Sequence, residues 1–186
     1  MQATLTFTAL ALALASSASA FNIHFQNNCG YTIWPAVGKA PNGQPDGSVS
    51  FGARLDPGQS ADYGVDDHQI GIRAWGRTGC DGNGGNCQTG ACNGGLYCSD
   101  AGITSGVILS EYGYGNFGQF GGERIAWDLS RVDGNVNIPT TLSATDGQSV
   151  YCGDNNCPAD QAYSYAQDYA ADRNSGLGTS FTHKFC

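Results

Sequence analysis

Residues Arg73–Cys98 read RAWGRTGCDGNGGNCQTGACNGGLYC, and half of the chain's 8 cysteines fall among them, at Cys80, Cys87, Cys92 and Cys98. A glycine-rich segment loses much conformational entropy on ordering, and this one has few apolar side chains to offset that loss. Covalent staples are the evident way to hold it, so the question becomes what such staples would hold in place.

Working outward, the other cysteines are Cys29, Cys152, Cys157 and Cys186. The chain opens MQATLTFTALALALASSASA, an uncharged apolar run ending in Ala18-Ser19-Ala20, which fits the small-x-small cleavage pattern of a secretory signal peptide over residues 1–20. The apolar run is too short to span a bilayer, and no later stretch is long enough either, so no stable membrane span is expected. Residues 21–186 are enough for a single domain. An even cysteine count in an exported chain points to disulfides without fixing their connectivity. Zinc is disfavoured because no C-x-x-C pair occurs, and no cofactor motif is present, so neither metal nor cofactor is expected. No N-x-S/T sequon occurs. The net charge is −8, with only Lys39 and Lys184 as lysines. Such a surface repels phosphate backbones and anionic lipid, which excludes nucleic acid and leaves neutral polysaccharide, protein or cationic partners.

The strand pattern is short and turn-rich. Phe21, Ile23 and Phe25 alternate with Asn22, His24 and Gln26, the period of a half-buried strand. Asn27-Asn28-Cys29-Gly30 is a turn signal and Tyr31–Trp34 a second run, so the two read as a hairpin. Lys39–Gly52 reads as loop, Leu55–Gly58 as a turn, and Ile70–Trp75, Val107–Tyr114, Arg124–Val132 and Thr179–Cys186 as strands. The stretch after Pro139 reads as loop as far as Cys157, and Tyr163–Arg173 as the one short helix. Many short strands and almost no helix mean an all-β sandwich or barrel.

The residues able to do chemistry are carboxylates. His24, His68 and His183 are scattered and read as ordinary strand or loop residues. There are only two glutamates, Glu111 and Glu123. Glu111 lies between Val107-Ile108-Leu109 and the tyrosines Tyr112 and Tyr114, apolar surroundings of the kind that raise a carboxyl pKa, as a general acid requires. Asp128, within Ile125-Ala126-Trp127-Asp128-Leu129, needs a partner if buried, and Arg73 on another strand could supply one. Asp133, five residues after Asp128, would face the opposite side of a continuous strand; it converges only if the chain turns near Val132, and Asp133-Gly134-Asn135 is such a turn signal.

At this point the chain resembles the thaumatin-like proteins. The resemblance rests on FNIHFQNNCGYTIWPAV, IRAWGRTGCDGNGGNCQTGACNGGLYC, ILSEYGYGN, IAWDLSRVDGNVNIP, CPADQAYSYAQD and the terminal Cys186, nearly the whole of the chain after residue 20. It implies a thaumatin-like flattened antiparallel β-sandwich of about ten to eleven strands in two sheets. It implies the pairs Cys29–Cys186, Cys80–Cys87 and Cys92–Cys98, and by remainder Cys152–Cys157. The first would tie the two chain ends across a long loop, where chain-entropy models give stabilisation of order 4–5 kcal/mol. Larger members carry a cysteine-rich second domain between the V-D-G and C-P segments. Here only Thr140–Asn156 fills that gap, so this is a short form with one cleft wall expected to be reduced.

The resemblance also implies an acidic cleft of one Arg, one Glu and three Asp. By motif these are Arg73, Glu111, Asp128, Asp133 and Asp168, the last in a segment longer than the usual spacing. The implied ligand is β-1,3-glucan of cell walls, and the implied role is antifungal defence or wall remodelling by a secreted, monomeric protein. Tyr112, Tyr114, Phe117 and Phe120 would stack on sugar rings. A second possibility is weak endo-β-1,3-glucanase activity, with Glu111 as general acid and Asp133 as the ionised partner, Asp128 being its rival. A third is a protein-interaction or enzyme-inhibitor module.

Overall fold

The computed structural model describes residues 20–132 and 134–186. The expected signal peptide therefore lies outside the described residues except for Ala20, and so does Asp133. Among the described residues eleven strands follow one another: β1 (Ala20–Asn27), β2 (Ile33–Lys39), β3 (Asp46–Gly52), β4 (Ser60–Asp66), β5 (Ile72–Thr78), β6 (Leu109–Asn116), β7 (Glu123–Ser130), β8 (Thr140–Ala144), β9 (Ser149–Cys152), β10 (Arg173–Gly176) and β11 (Ser180–Phe185). They form a five-stranded sheet in the order β4-β1-β11-β8-β9 and a six-stranded sheet in the order β10-β7-β6-β5-β2-β3. Each neighbouring pair is antiparallel except β1 and β11, the first and last strands, which run parallel.

Period-two burial makes the sandwich. Phe21, Ile23 and Phe25 of β1 and Phe181 and Phe185 of β11 point inward from one sheet, meeting Ile72, Ala74, Tyr112, Ile125, Trp127 and Leu129 from the other. Four disulfides close the chain, Cys29–Cys186, Cys80–Cys87, Cys92–Cys98 and Cys152–Cys157, the same pairs that the resemblance implies.

Several local expectations are corrected. The first two runs do not make a hairpin, since β1 and β2 belong to different sheets. The cause is Asn27, whose buried side chain donates from Nδ2 to the carbonyls of Tyr31 and Leu55 and accepts from the Cys29 amide, carrying the chain from one sheet to the other. Lys39–Gly52 contains the edge strand β3, which alternates weakly because only Val49 is an apolar residue fully inside. The stretch after Pro139 carries β8 and β9, where small and hydroxylic residues flank the inward Leu142 and Val150. Tyr163–Arg173 is not an α-helix but a loop with one 3-10 turn at Tyr169–Ala171. Its backbone is taken by the end of β7: Tyr163 N–H donates to the Leu129 carbonyl and Arg131 N–H to the Tyr163 carbonyl, leaving them unavailable for a helical ladder.

The stapled stretch is ordered by a residue within it. Arg77, on β5, is fully buried, and its guanidinium donates to five backbone carbonyls. Nε reaches Trp34 (3.0 Å), Nη1 reaches Gly84 (3.0 Å) and Gly95 (2.7 Å), and Nη2 reaches Leu96 (2.9 Å) and Pro35 (3.4 Å). Both disulfide loops are thereby pinned to β2. Burial pulls the guanidinium pKa down to about 10, which still leaves it charged at neutral pH. Two residues back on the same face, Trp75 donates from Nε1 to the Gly90 carbonyl at 3.0 Å. Its ring lies against the backbone of Gly102, where a Cβ would come within 2.5 Å of it.

Replacing Arg77 by lysine keeps the charge but offers too few donors in the wrong directions for five carbonyls. Arg77→Lys is expected to cost about 3–5 kcal/mol in denaturant unfolding, in line with uncompensated burial of charged and polar groups. Amide exchange should accelerate selectively in residues 80–98. A loss below about 1 kcal/mol would show that the staples order the loops without Arg77.

Candidate functional site

Strand register sets the site. Arg73 on β5 stands directly opposite Glu111 on β6, and Glu111 directly opposite Asp128 on β7. Directly opposed residues share a face, so the three side chains form one row across three adjacent strands. The face is the outer one of the six-stranded sheet. Along β6, Ser110 and Tyr112 are buried inward, so Glu111 must project outward, and along β7 the inward Trp127 and Leu129 bracket Asp128 in the same way.

The row lies along the floor of a cleft with two lobes. One, of about 400 Å³, is walled by Ala40, Gly71, Ile103, Gly113 and Ala126. The other, of about 230 Å³, is walled by Leu109, Ser130, Val132, Tyr163 and Ala166. Arg73, Glu111 and Asp128 line both. Ile103 comes from the loop that follows the Cys92–Cys98 staple, so the ordered loops contribute one wall of the cleft.

The charges are unequal along the row. Arg73 Nε lies 3.6 Å from Glu111 Oε1, an ion pair in which the guanidinium is largely covered. Asp128 sits on the far side of Glu111 from that cation. Its Oδ1 is shielded from solvent with no hydrogen-bond partner among the described residues. Its pKa is raised well above the usual carboxylate value, first by burial, then by the nearby charges of Glu111 and Asp172. Tyr163 donates a short hydrogen bond to Asp172, and its own ionisation is pushed up, mainly by burial and then by that bond. The arrangement thus places a carboxylate paired with Arg73 beside a carboxyl whose ionisation burial and neighbouring acids disfavour. No cluster suited to a metal ion occurs among the described residues.

The other expected residues fall elsewhere. Tyr112 borders the larger lobe, but its ring turns away from it, stacking on Phe21 at 5.4 Å inside the core, and its hydroxyl donates to Ser110. Tyr114 is also on the inward side of β6, against His68 at 4.9 Å, with its hydroxyl donating to Glu123 at 2.6 Å. Both follow from strand geometry, since residues one and three positions from Glu111 point to the opposite face. Phe117 is exposed on the loop after β6, and the Phe120 side chain lies outside the described residues. Asp168 is buried, its carboxylate accepting from Ser164 N–H (3.2 Å) and Oγ–H (2.9 Å), and it lines neither lobe.

Of the aromatic residues that the sequence pattern assigns to a helix, Tyr163 stands instead beside Asp128. Tyr163 lines the smaller lobe, Tyr169 packs edge-on against it at 6.4 Å, and Tyr165 and Tyr169 are 58% and 68% exposed. The available sequence signal is the three tyrosines of their shared stretch, YSYAQDYAAD.

Comparison with known proteins is consistent with this architecture. A family model described as the thaumatin family matches residues 27–186. Thaumatin-like protein PWIR2 of Triticum aestivum is 38% identical over 173 residues, covering 92% of this chain and 90% of that protein. Pathogenesis-related protein 1A/1B of Hordeum vulgare shows the same identity and coverage. Among solved structures, the thaumatin-like xylanase inhibitor TLXI aligns with a TM-score of 0.58 at 24% identity, covering 88% of this chain and 98% of that one.

Asp128 should leave a signature in stability. Its folded pKa is raised, so as pH climbs past the unfolded value the unfolded chain ionises first and the folded state loses stability. Asp128→Asn cannot ionise and escapes that loss. The difference in Tm between variant and wild type is therefore expected to be small near pH ~3 and to grow in the variant's favour toward pH ~7. The buried His183, whose pKa is pushed down to about 3, is common to both proteins and cancels in that difference. A Tm difference that stays constant with pH would rule out a protonated Asp128.

Proposed function

Because the chain belongs to the thaumatin family, with pathogenesis-related relatives, we propose that it is a secreted defence protein binding β-1,3-glucan of cell walls in the Arg73–Glu111–Asp128 cleft. The observation that carries this reading is the in-register row of one cation and two carboxyl groups, lined up along an open cleft. Glucan hydroxyls both donate and accept. A charged carboxylate accepts from them, a protonated carboxyl can also donate, and the guanidinium donates, so each side chain of the row has a role. The exposed Tyr165 and Tyr169, on the same loop as the cleft residue Tyr163, offer ring faces for pyranose stacking in place of Tyr112 and Tyr114. Four disulfides and a leader-like N-terminus support export.

A second reading, hydrolysis, is favoured by the placement of Asp128, shielded from solvent directly opposite Glu111, a position that pushes its pKa up. Glycoside hydrolysis needs one protonated carboxyl and one ionised partner. On this geometry Asp128 takes the acid role that sequence reasoning gives to Glu111, and Glu111, paired with Arg73, takes the ionised role. Asp133 keeps only the role that the family pattern implies.

Binding is tested by co-sedimentation with insoluble β-1,3-glucan. Wild type should pellet, and Arg73→Ala or Glu111→Gln should weaken binding about tenfold or more, the scale of a lost central contact. Wild-type protein that stays in the supernatant with an intact circular dichroism spectrum would overturn the proposal. For hydrolysis, release of reducing ends from laminarin should fall at least about a hundredfold in Asp128→Asn, the usual contribution of general acid catalysis. An unchanged rate would remove Asp128 from that role.

A further inference from the structure

At the opposite end of β5 lies a second concavity. Thr78 is five residues beyond Arg73, about 17 Å away at strand rise. Two adjoining cavities open there, of about 420 and 370 Å³, and Gln88 and Asn137 line both. No charged side chain lines either among the described residues. In the first, Tyr31 and Trp34 supply aromatic surface beside Thr32 and Thr78; in the second, Thr89 and Asn135 supply hydroxyl and amide groups. In a chain of net charge −8, a groove with no charged lining residue and several neutral polar and aromatic ones is a selective feature.

The groove is built by the first staple. Cys80–Cys87 closes a loop whose base returns along β5: Gln88 N–H donates to the Thr78 carbonyl at 2.8 Å, Thr78 N–H donates to the Thr89 carbonyl at 3.2 Å, and the two threonine hydroxyls bond at 2.7 Å. Gly79, at φ +61°, lets Gln88 lie across the chain, since a Cβ there would come within 2.5 Å of the Gln88 side chain. Asn137 fixes the seam. Its Nδ2 donates to the Gly76 carbonyl (3.0 Å) and to Thr89 Oγ1 (2.9 Å). A carbonyl can only accept, so the amide orientation is settled and Oδ1 is left buried without a hydrogen-bond partner among the described residues. The Arg54 guanidinium, which lines neither cavity, lies 5.9 Å from the Trp34 ring centroid.

We propose that this groove is a second carbohydrate site, taking a neutral oligosaccharide and independent of the acidic cleft. Uncharged amides and hydroxyls match sugar hydroxyls without requiring a charge on the ligand, and the partly exposed Tyr31 gives a ring face at the rim. Both lobes fall within the roughly 300–1,000 Å³ range of small-ligand sites. Two sites on one rigid domain would let a single molecule engage an insoluble polysaccharide at two points, raising avidity beyond either site alone.

The test uses tryptophan fluorescence, because of the three tryptophans Trp34 alone lines this groove, while Trp75 and Trp127 are fully buried. Laminarihexaose, xylohexaose and chitohexaose are titrated into the wild-type protein, a cleft variant (Arg73→Ala/Glu111→Gln) and a groove variant (Tyr31→Ala/Gln88→Ala), each verified as folded by circular dichroism. The proposal expects at least one hexamer to shift the emission of wild type and cleft variant with similar Kd, and the groove variant to bind at least about tenfold more weakly. No response to any of the three in the cleft variant, or a response that the groove variant retains unchanged, overturns it. Because the cleft variant lacks the first site, failure here leaves the glucan-binding reading of the cleft standing, and the reverse holds as well.

Discussion

Arg77 is a full positive charge buried against five backbone carbonyls rather than a carboxylate, and much of the molecule depends on it. A guanidinium removed from water must have its donors satisfied, and the carbonyls that satisfy it belong to β2 and to both disulfide loops. The disulfides shorten those loops; Arg77 tells them where to lie. Neither device suffices alone, because a stapled loop without an anchor is still a flexible loop and five buried carbonyls without a donor resist burial.

The outer face of β5 therefore carries three jobs at every second residue. Arg77 pins the loops, Trp75 packs beneath them, and Arg73 emerges at their margin as the cation of the cleft. Its charge reaches Glu111 next door but leaves Asp128, one strand further on, in a buried position beside other acids. Two carboxyl groups one strand apart thus sit in different surroundings, Glu111 paired with a guanidinium and Asp128 buried beside other acids. Environments that push neighbouring carboxyls apart are the usual route to dividing acid and base roles.

The sandwich is legible where apolar residues alternate, as in Phe21-Ile23-Phe25, and the four disulfides and the Arg73, Glu111 and Asp128 positions are legible from the family pattern. What escapes does so for physical reasons. The strand β3 has almost no apolar side to display, and β9 is only four residues long. The hairpin expectation fails because one buried asparagine side chain redirects the chain, an effect without a periodic signature. Tyr112 and Tyr114 are misplaced when proximity in sequence is weighed above the two-residue period, which already sends them to the other face from Glu111. Arg77 escapes notice because a buried, carbonyl-bound arginine reads in sequence like any charged residue of a strand.

The proposed division of roles in the cleft turns on burial and neighbouring acids disfavouring the ionisation of Asp128. The most direct measurement is the pH titration of its side-chain carboxyl ¹³C resonance by NMR, assigned by comparison with Asp128→Asn. A buried Asp128 next to Glu111 predicts a midpoint well above the ordinary aspartate value, moving down when Glu111→Gln removes the neighbouring negative charge. A midpoint near the ordinary value of about 3.9, insensitive to Glu111, would contradict it.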